Sequence, residues 1–290
     1  MQEKKDFVIL SINLITITLL FIFVVYPFMK IFVSSFYIEV IYLDLKRFVF
    51  LDNYYYILTD QSYWNSLYNS LRFSLISFVI ELVIGFLLAL LVWKNENNKI
   101  LRISILLPWA LPTAIMALSW RFMLNEQYGI IPKFFNFFNI ENIFLSNFVW
   151  AFIWMILIDV WKTTPFIAIM FYSALKGINK ELFEAIDVEK GNWYHKIFWV
   201  ILPLCIPAIS TALLFRLLYA MVVFDLPYVL TGGGPANSTK TLPMYIYENF
   251  FKYLDIGYAS SLTVVSILVI FIISILFLEL LKRIYPYNIK

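Results

Sequence analysis

The apolar residues of this chain gather into long runs, separated by shorter segments that hold most of the charge. Six runs are long enough to be read as membrane spans, at about 7–29, 69–93, 100–124, 148–175, 198–224 and 258–281. Crossing a hydrocarbon core of roughly 30 Å takes about 20 apolar residues in helical form. Within that core every backbone amide needs a partner from its own segment, which selects helices. The pattern predicts an all-α, polytopic membrane protein with six transmembrane helices, in one membrane domain over 1–290. No internal repeat and no low-complexity linker is visible.

The first run is preceded by Lys4 and Lys5, as in a signal peptide. It is longer than an h-region of about 7–15 residues, and no small-x-small cleavage site follows, so an uncleaved first span is expected. Lysine and arginine placement orients the chain, because cytoplasmic loops carry the excess of positive charge. With the N-terminus inside, the short inner segments hold Lys94, Lys99, Arg102, Lys176, Lys180, Lys190, Lys196, Lys282, Arg283 and Lys290. The outer segments, about 30–68, 125–147 and 225–257, are longer and poorer in positive charge. Six spans then put both termini in the cytoplasm. The outer segments are rich in Tyr, Phe and Asn, as in LDNYYYIL (51–58) and FFNFFNI (134–140), and are expected to form short interfacial helices.

Proline adds a second layer to the pattern. Pro108 and Pro112 fall in the third run, Pro165 in the fourth, and Pro203 and Pro207 in the fifth. Each removes a backbone donor and kinks its helix. Kinked helices suit a polar pathway, where water or neighbouring protein meets the freed carbonyls. Four charges stand deep within the runs, away from their ends: Glu81, Asp159, Lys162 and Arg216. Charges at that depth face the bundle interior. Asp159 and Lys162 are spaced to pair along one helix face, and Glu81 and Arg216 to pair across helices.

Composition narrows the class rather than changing it. Charged residues make up 14% of the chain and hydrophobic residues 62%, against about a quarter charged in soluble domains. A single cysteine, Cys205, excludes an internal disulfide, and a single histidine, His195, leaves no histidine zinc site, so no cofactor is expected. The net charge of +3 fits a lipid bilayer as partner and gives no argument for nucleic acid. No nucleophile–base constellation points to catalysis.

The largest concentration of polarity is ELFEAIDVEKGNWYHKIFWVILP (181–203), on the inner side between the fourth and fifth runs. Glu181, Glu184, Asp187, Glu189, Lys190, His195 and Lys196 crowd into it. It resembles the cytoplasmic loop of binding-protein-dependent ABC importer permeases, whose pattern runs Glu-Ala-Ala, two residues, Asp-Gly, and later Leu-Pro. Here Glu184, Ala185 and Ile186 are followed by Glu189 and Lys190, and the stretch ends at Leu202 and Pro203. Ile186 stands for the second alanine, Glu189 for the aspartate and Lys190 for the glycine, with Gly191 one place later.

The resemblance implies a cytoplasmic coupling helix between helices 4 and 5 that seats in a cleft of an ATP-hydrolysing subunit. Ala185 would allow close approach, Leu182, Phe183 and Ile186 would supply an apolar patch, and Glu181 and Glu184 would set register against basic groups. Gly191 would supply the turn back to the membrane.

A second motif narrows the family. LTGGGPANSTKTL (230–242) and the later GYASSL (257–262) resemble the last outer loop and final span of sugar-importer permeases of the maltose-F-like or glycerol-phosphate-A-like type. Gly232, Gly233 and Gly234 permit positive φ and a tight bend, and Pro235 fixes its exit. Ser238, Thr239 and Lys240 do not make this a phosphate loop, because that motif needs Gly-Lys-Ser/Thr opening a helix after a strand.

The resemblance implies a permease subunit of an ATP-driven importer for a sugar or sugar-like solute in a prokaryotic inner membrane. Its partners would be a second homologous permease, two ATP-binding subunits that carry the hydrolysis, and an extracytoplasmic solute-binding protein. Along the solute path, Trp120, Arg216, Asp225 and Tyr228 have chemistry suited to a sugar, combining aromatic faces with polar hydrogen-bonding groups. An ion-driven carrier is the alternative, as is an importer of glycerol 3-phosphate.

Overall fold

The computed structural model describes residues 2–139 and 144–284; Ile140 of the second aromatic stretch and the inner-side Lys290 lie outside them. In chain order, α1 (Gln2–Leu20) continues through a π segment (Phe21–Val25) into α2 (Tyr26–Ser34). Strands β1 (Tyr37–Val40) and β2 (Leu45–Phe48) follow, then α3 (Asp52–Thr59), α4 (Gln61–Lys94), α5 (Lys99–Ala110), α6 (Thr113–Met123) and α7 (Ile130–Asn136). Next come α8 (Phe148–Lys176), α9 (Lys180–Val188), α10 (Trp193–His195), a π segment (Lys196–Ile201) and α11 (Leu202–Met221). The chain closes with α12 (Asp225–Leu230), α13 (Leu242–Tyr247) and α14 (Ile256–Ile284).

Among the described residues, four helices are long and apolar enough to cross a membrane: Ile9–Ser34, Gln61–Lys94, Phe148–Lys176 and Ile256–Leu281. The count reaches six if each of two bent pairs is one span. The third run is not a kinked rod but two helices, α5 and α6, meeting at 92°. The break has a local cause. A residue before proline is driven out of the helical region, and Leu111 is extended, with φ −74 and ψ 136. The fifth run bends by 57° between Trp193–Pro207 and Ile209–Met221. By contrast α8 continues through Pro165.

The contacts group into two compact units, 1–63 with 245–269, and 64–244 with 270–290. The first holds a correction to the all-helical expectation. Residues 37–48, expected to be interfacial helix, form an antiparallel hairpin in which Glu39 stands opposite Lys46. Their side chains pair at 3.0 Å, as cross-strand opposite charges do. Asp44 turns the hairpin in the left-handed region, at φ 47. LDNYYYIL does become a short helix, α3. Asn53 on α3 donates to the carbonyls of Ser35 and Tyr37 at 3.0 and 2.9 Å. Asp60 accepts both the Tyr245 and Tyr258 hydroxyls, at 2.5 and 2.6 Å. Burial first, and then the Asp60 carboxylate, pushes the Tyr245 hydroxyl well above its usual range.

The second unit holds two apolar clusters. One gathers Phe73, Met155, Ile158, Ala220 and Leu226 among others. The other gathers Ala89, Ile167, Phe171, Ile201 and Ala212. Three helices, α4, α8 and α11, each contribute to both; Glu81 on α4 and Arg216 on α11 fall between the two sets, while Asp159 lies within the α8 part of the first.

Candidate functional site

The acidic island folds as a short, firmly capped helix. Asn179 opens α9, its side-chain oxygen accepting the Glu181 amide at 3.2 Å, and Glu181 in the first turn complements the helix dipole. At the other end, the Lys190 amide donates to Asp187 at 3.1 Å and the Gly191 amide to Ile186 at 2.8 Å. That pair of bonds is the Schellman arrangement, which demands a left-handed residue just past the helix.

The expected division of labour is therefore reversed. Lys190 itself takes φ 57, while Gly191 has no positive φ. This explains why the resembling pattern prefers glycine at position 190. Gly191 is needed for space instead, since a Cβ there would collide with the Ile186 side chain and lie 3.1 Å from its carbonyl. The chain restarts at once, because Asn192 and His195 cap one another reciprocally, which gives the lone histidine a structural task. Lys196 pairs with Asp187 at 2.6 Å and ties the following segment back to α9.

α9 presents two faces. Phe183 and Ile186 turn inward against the second apolar cluster. Phe183 sits 5.3 Å from the Trp93 ring, while Trp93 also stacks on Trp193 and Lys94 lies over Trp193 at 4.3 Å. The apolar patch expected from Leu182, Phe183 and Ile186 thus does not form. Nine residues on a 3.6-residue pitch give two stripes, and the outward one is Leu182, Ala185 and Val188, with Glu181 and Glu184 beside it. Val188 is 83% exposed.

The charges inside the helices behave in the opposite way. Arg216 is 2% exposed and Glu81 fully buried. The Arg216 guanidinium donates to both Glu81 oxygens, one at 2.7 Å, and to Asp159. Thr163 donates to Glu81 at 2.5 Å. Arginine's planar fork suits two carboxylates at once. The Glu81–Arg216 pair forms as the spacing suggested. Asp159 also turns to Arg216, and Lys162 donates instead to the carbonyls of Leu111 and Trp109, at 2.8 and 3.4 Å. Those carbonyls lie at the break between α5 and α6. A cation is thus spent on backbone acceptors that the 92° bend left free.

The glycine-rich loop uses two of its three glycines as expected. Gly232 and Gly233 have φ 65 and 87, Gly234 does not, and the Gly234–Pro235 bond is cis. Thr239 binds Thr231 at 2.6 Å and the Gly234 carbonyl at 3.0 Å. Asn69 holds the carbonyls of Asn237 and Lys240 at 2.9 and 3.1 Å, and Ser70 accepts the Leu242 amide at 2.8 Å. Asn69 and Ser70 were not singled out from the sequence; their pairing with residues some 170 positions away has no local signal.

The four residues suggested for the solute path separate. Arg216 is occupied by its two carboxylates. Trp120 on α6 packs on Trp154 and Trp161. Asp225 and Tyr228 are exposed on α12, where Tyr228 stacks on Phe224 at 4.9 Å, and α12 packs on α6. Next to them lies a polar cavity of about 520 Å³ that includes Arg121, Asn125, Glu126, Gln127, Thr231 and Gly234. The polar run Asn125–Gln127, directly after the third apolar run, is a signal in the sequence that could have found it.

Proline-broken helices, a buried charge layer and an exposed, capped acidic helix are thus set among several helices of membrane-spanning length. The chain belongs to the family of binding-protein-dependent transport system inner membrane components, whose profile matches residues 81–285. It is 34% identical to the sulfoquinovosyl glycerol transport system permease protein SmoG of Agrobacterium fabrum, over 91% of this chain and 87% of that one. It is 31% identical to the trehalose/maltose transport system permease protein MalF of Thermococcus litoralis, over 96% and 94%. The fold is similar to that of a chain in the crystal structure of a bacterial alginate ABC transporter bound to an alginate-loaded periplasmic protein. There the TM-score is 0.83, the identity 20%, and the coverage 97% of this chain and 96% of that one.

Proposed function

We propose that this chain is one permease subunit of an ATP-driven importer for a sugar or sugar-like solute, acting as a single transmembrane domain of six spans. It forms half of a translocation path with a second homologous permease. Two ATP-binding subunits carry the hydrolysis, and an extracytoplasmic solute-binding protein delivers the solute. Both termini face the cytoplasm of a prokaryotic cell.

The observation that carries the reading is the outward face of α9: Leu182, Ala185 and Val188 exposed beside Glu181 and Glu184, on a helix fixed at both ends. An exposed apolar stripe with acidic flanks is suited to a complementary cleft, where the charges set register. Phe183 and Ile186 hold the helix to the body of the permease, so a push on α9 is passed to the segments that carry Trp93 and Ile201. ATP closes the two ATPase subunits, α9 and its counterpart move with them, and the bent spans open outward to receive solute. This chain performs no chemistry; it transmits force.

A sugar is favoured by the relatives, which are named for trehalose/maltose and sulfoquinovosyl glycerol transport. Glycerol 3-phosphate is the second reading, because the sn-glycerol-3-phosphate permease UgpA of Escherichia coli is 28% identical over 80% of this chain. A phosphate needs free cations in the path. Arg216 is neutralised by Glu81 and Asp159, so an anionic solute would have to be met by Arg121 in the outer cavity. Trp120, Asp225 and Tyr228, beside the cavity that contains Gly234 and Pro235, are the residues proposed to meet the solute first. An ion-driven carrier would keep its transport rate in ATP-depleted vesicles; loss of transport there is expected.

Glu184→Arg tests the reading. Transport and ATPase recruitment are expected to fail while the chain stays folded in the membrane. Normal transport with a normal complex in that variant would falsify the docking role. A membrane-impermeant label is expected to reach position 234 from outside and position 192 only from inside.

A further inference from the structure

One face of α4 and one face of α8 enclose a groove of about 380 Å³ that none of the preceding functions uses. Its walls are apolar except at one end. Ile76 and Ile80 follow Arg72 at four-residue steps along α4, so the three lie on one stripe about 12 Å long. Phe152 and Ile156 face them from α8. The Arg72 guanidinium lies 3.7 Å from the centre of the Phe152 ring and 5.4 Å from that of Tyr68. Its Nε is buried with no hydrogen-bond partner, and so is the hydroxyl of Ser238 at the same groove.

Buried donors are nearly always satisfied in folded proteins. Two unmet donors, one of them cationic, beside an apolar trough describe a ligand with an anionic head and a hydrocarbon tail. The depth agrees. Arg72 closes the polar first part of α4 (61–72), and the apolar part of the helix begins at the next residues. That border is where a lipid headgroup meets a membrane helix. A sugar finds no hydroxyl partners along Ile76, Ile80 and Ile156. A purely apolar helix would leave the guanidinium unanswered.

We propose that this groove binds one anionic phospholipid, its phosphate on Arg72 and Ser238 and an acyl chain along Ile76, Ile80 and Ile156. The bound lipid fills the space between α4 and α8, two of the three helices that carry the buried charge layer. Native mass spectrometry of the assembled transporter, released from nanodiscs of mixed phosphatidylglycerol and phosphatidylethanolamine, tests it. One retained phosphatidylglycerol per copy of this chain is expected. Arg72→Gln is expected to lower that retention about tenfold, the worth of one charge-assisted hydrogen bond. Arg72→Lys should keep most of it, and Ile80→Trp should block the groove. Equal retention of both lipids, or unchanged retention in Arg72→Gln and Ile80→Trp, overturns the proposal. A photoreactive group at position 76 in the otherwise unaltered chain gives a readout that does not depend on those variants folding. Capture of phospholipid supports the proposal, and capture of the second permease subunit overturns it.

Discussion

Two regions of this molecule concentrate charge, and they meet opposite fates. Glu81, Asp159 and Arg216 lie within long apolar helices and are buried, with the guanidinium shared between the two carboxylates. Glu181, Glu184 and Glu189 lie on a nine-residue helix and its cap, and stay exposed. The difference follows from solvation. A charge in a low-dielectric interior must be paired and hydrogen-bonded or it does not persist. A charge at a helix surface costs nothing to keep and remains available to a partner. The buried group therefore holds helices together, while the exposed group stays at the surface of its helix.

The largest expected effect lies in the buried region. Arg216→Met leaves two carboxylates unpaired and is expected to cost about 3–5 kcal/mol of stability, seen as a lower unfolding temperature of the detergent-solubilised protein. Replacing Glu81 with Gln and Asp159 with Asn in the same chain should recover most of that loss. No recovery would mean that the three do not act as one neutralised unit.

Within α9 the two faces should separate next. Phe183→Ala removes an inward, partly buried ring and is expected to destabilise the chain by roughly 2 kcal/mol, less than a fully buried phenylalanine. Val188 is 83% exposed, so Val188→Asp should cost no more than about 0.3–1 kcal/mol, the effect of an added acid at a helix C-terminus. The same substitution should weaken ATPase-subunit binding by about tenfold in a pull-down titration, as loss of an interface anchor does. A loss of stability in Val188→Asp as large as that in Phe183→Ala, or normal assembly, would erase the distinction between the faces.

The smallest effect is a gain. Lys190 holds a left-handed conformation that glycine adopts freely, so Lys190→Gly should stabilise the chain by about 0.4–1 kcal/mol. Chemical denaturation can resolve that shift. A loss of stability instead would show that the Lys190 side chain makes a contact that outweighs its backbone strain.

Much of the fold was legible because long apolar runs carry their meaning locally. The fourth run, 148–175, matches α8 almost end to end, and the second was short only at its start, where α4 begins at Gln61. The hairpin at Tyr37–Val40 and Leu45–Phe48 was not legible. Each strand has only four residues, too few to express a period, and the pairing of Glu39 with Lys46 appears only once the turn is made. At the candidate site, the island at 181–203 announced a short helix but not its caps, since the left-handed turn falls on Lys190 rather than on Gly191. Which of its apolar residues faced outward depended on where Trp93 and Trp193 came to lie.

The sequence by itself determined the solvent in which this chain folds, the approximate spans and the short polar helix between the fourth and fifth runs. These rest on hydrophobicity, backbone hydrogen bonding and local capping, all of which act over a few turns of helix. Tertiary structure alone decided the 92° break between α5 and α6 and the choice of Lys162 to answer the carbonyls there. It alone decided that Asp159 and Glu81 share Arg216, and that α9 offers Leu182, Ala185 and Val188 rather than Phe183 and Ile186. Those outcomes depend on residues far apart in the chain competing for the same partners, and that competition is settled only when the helices pack.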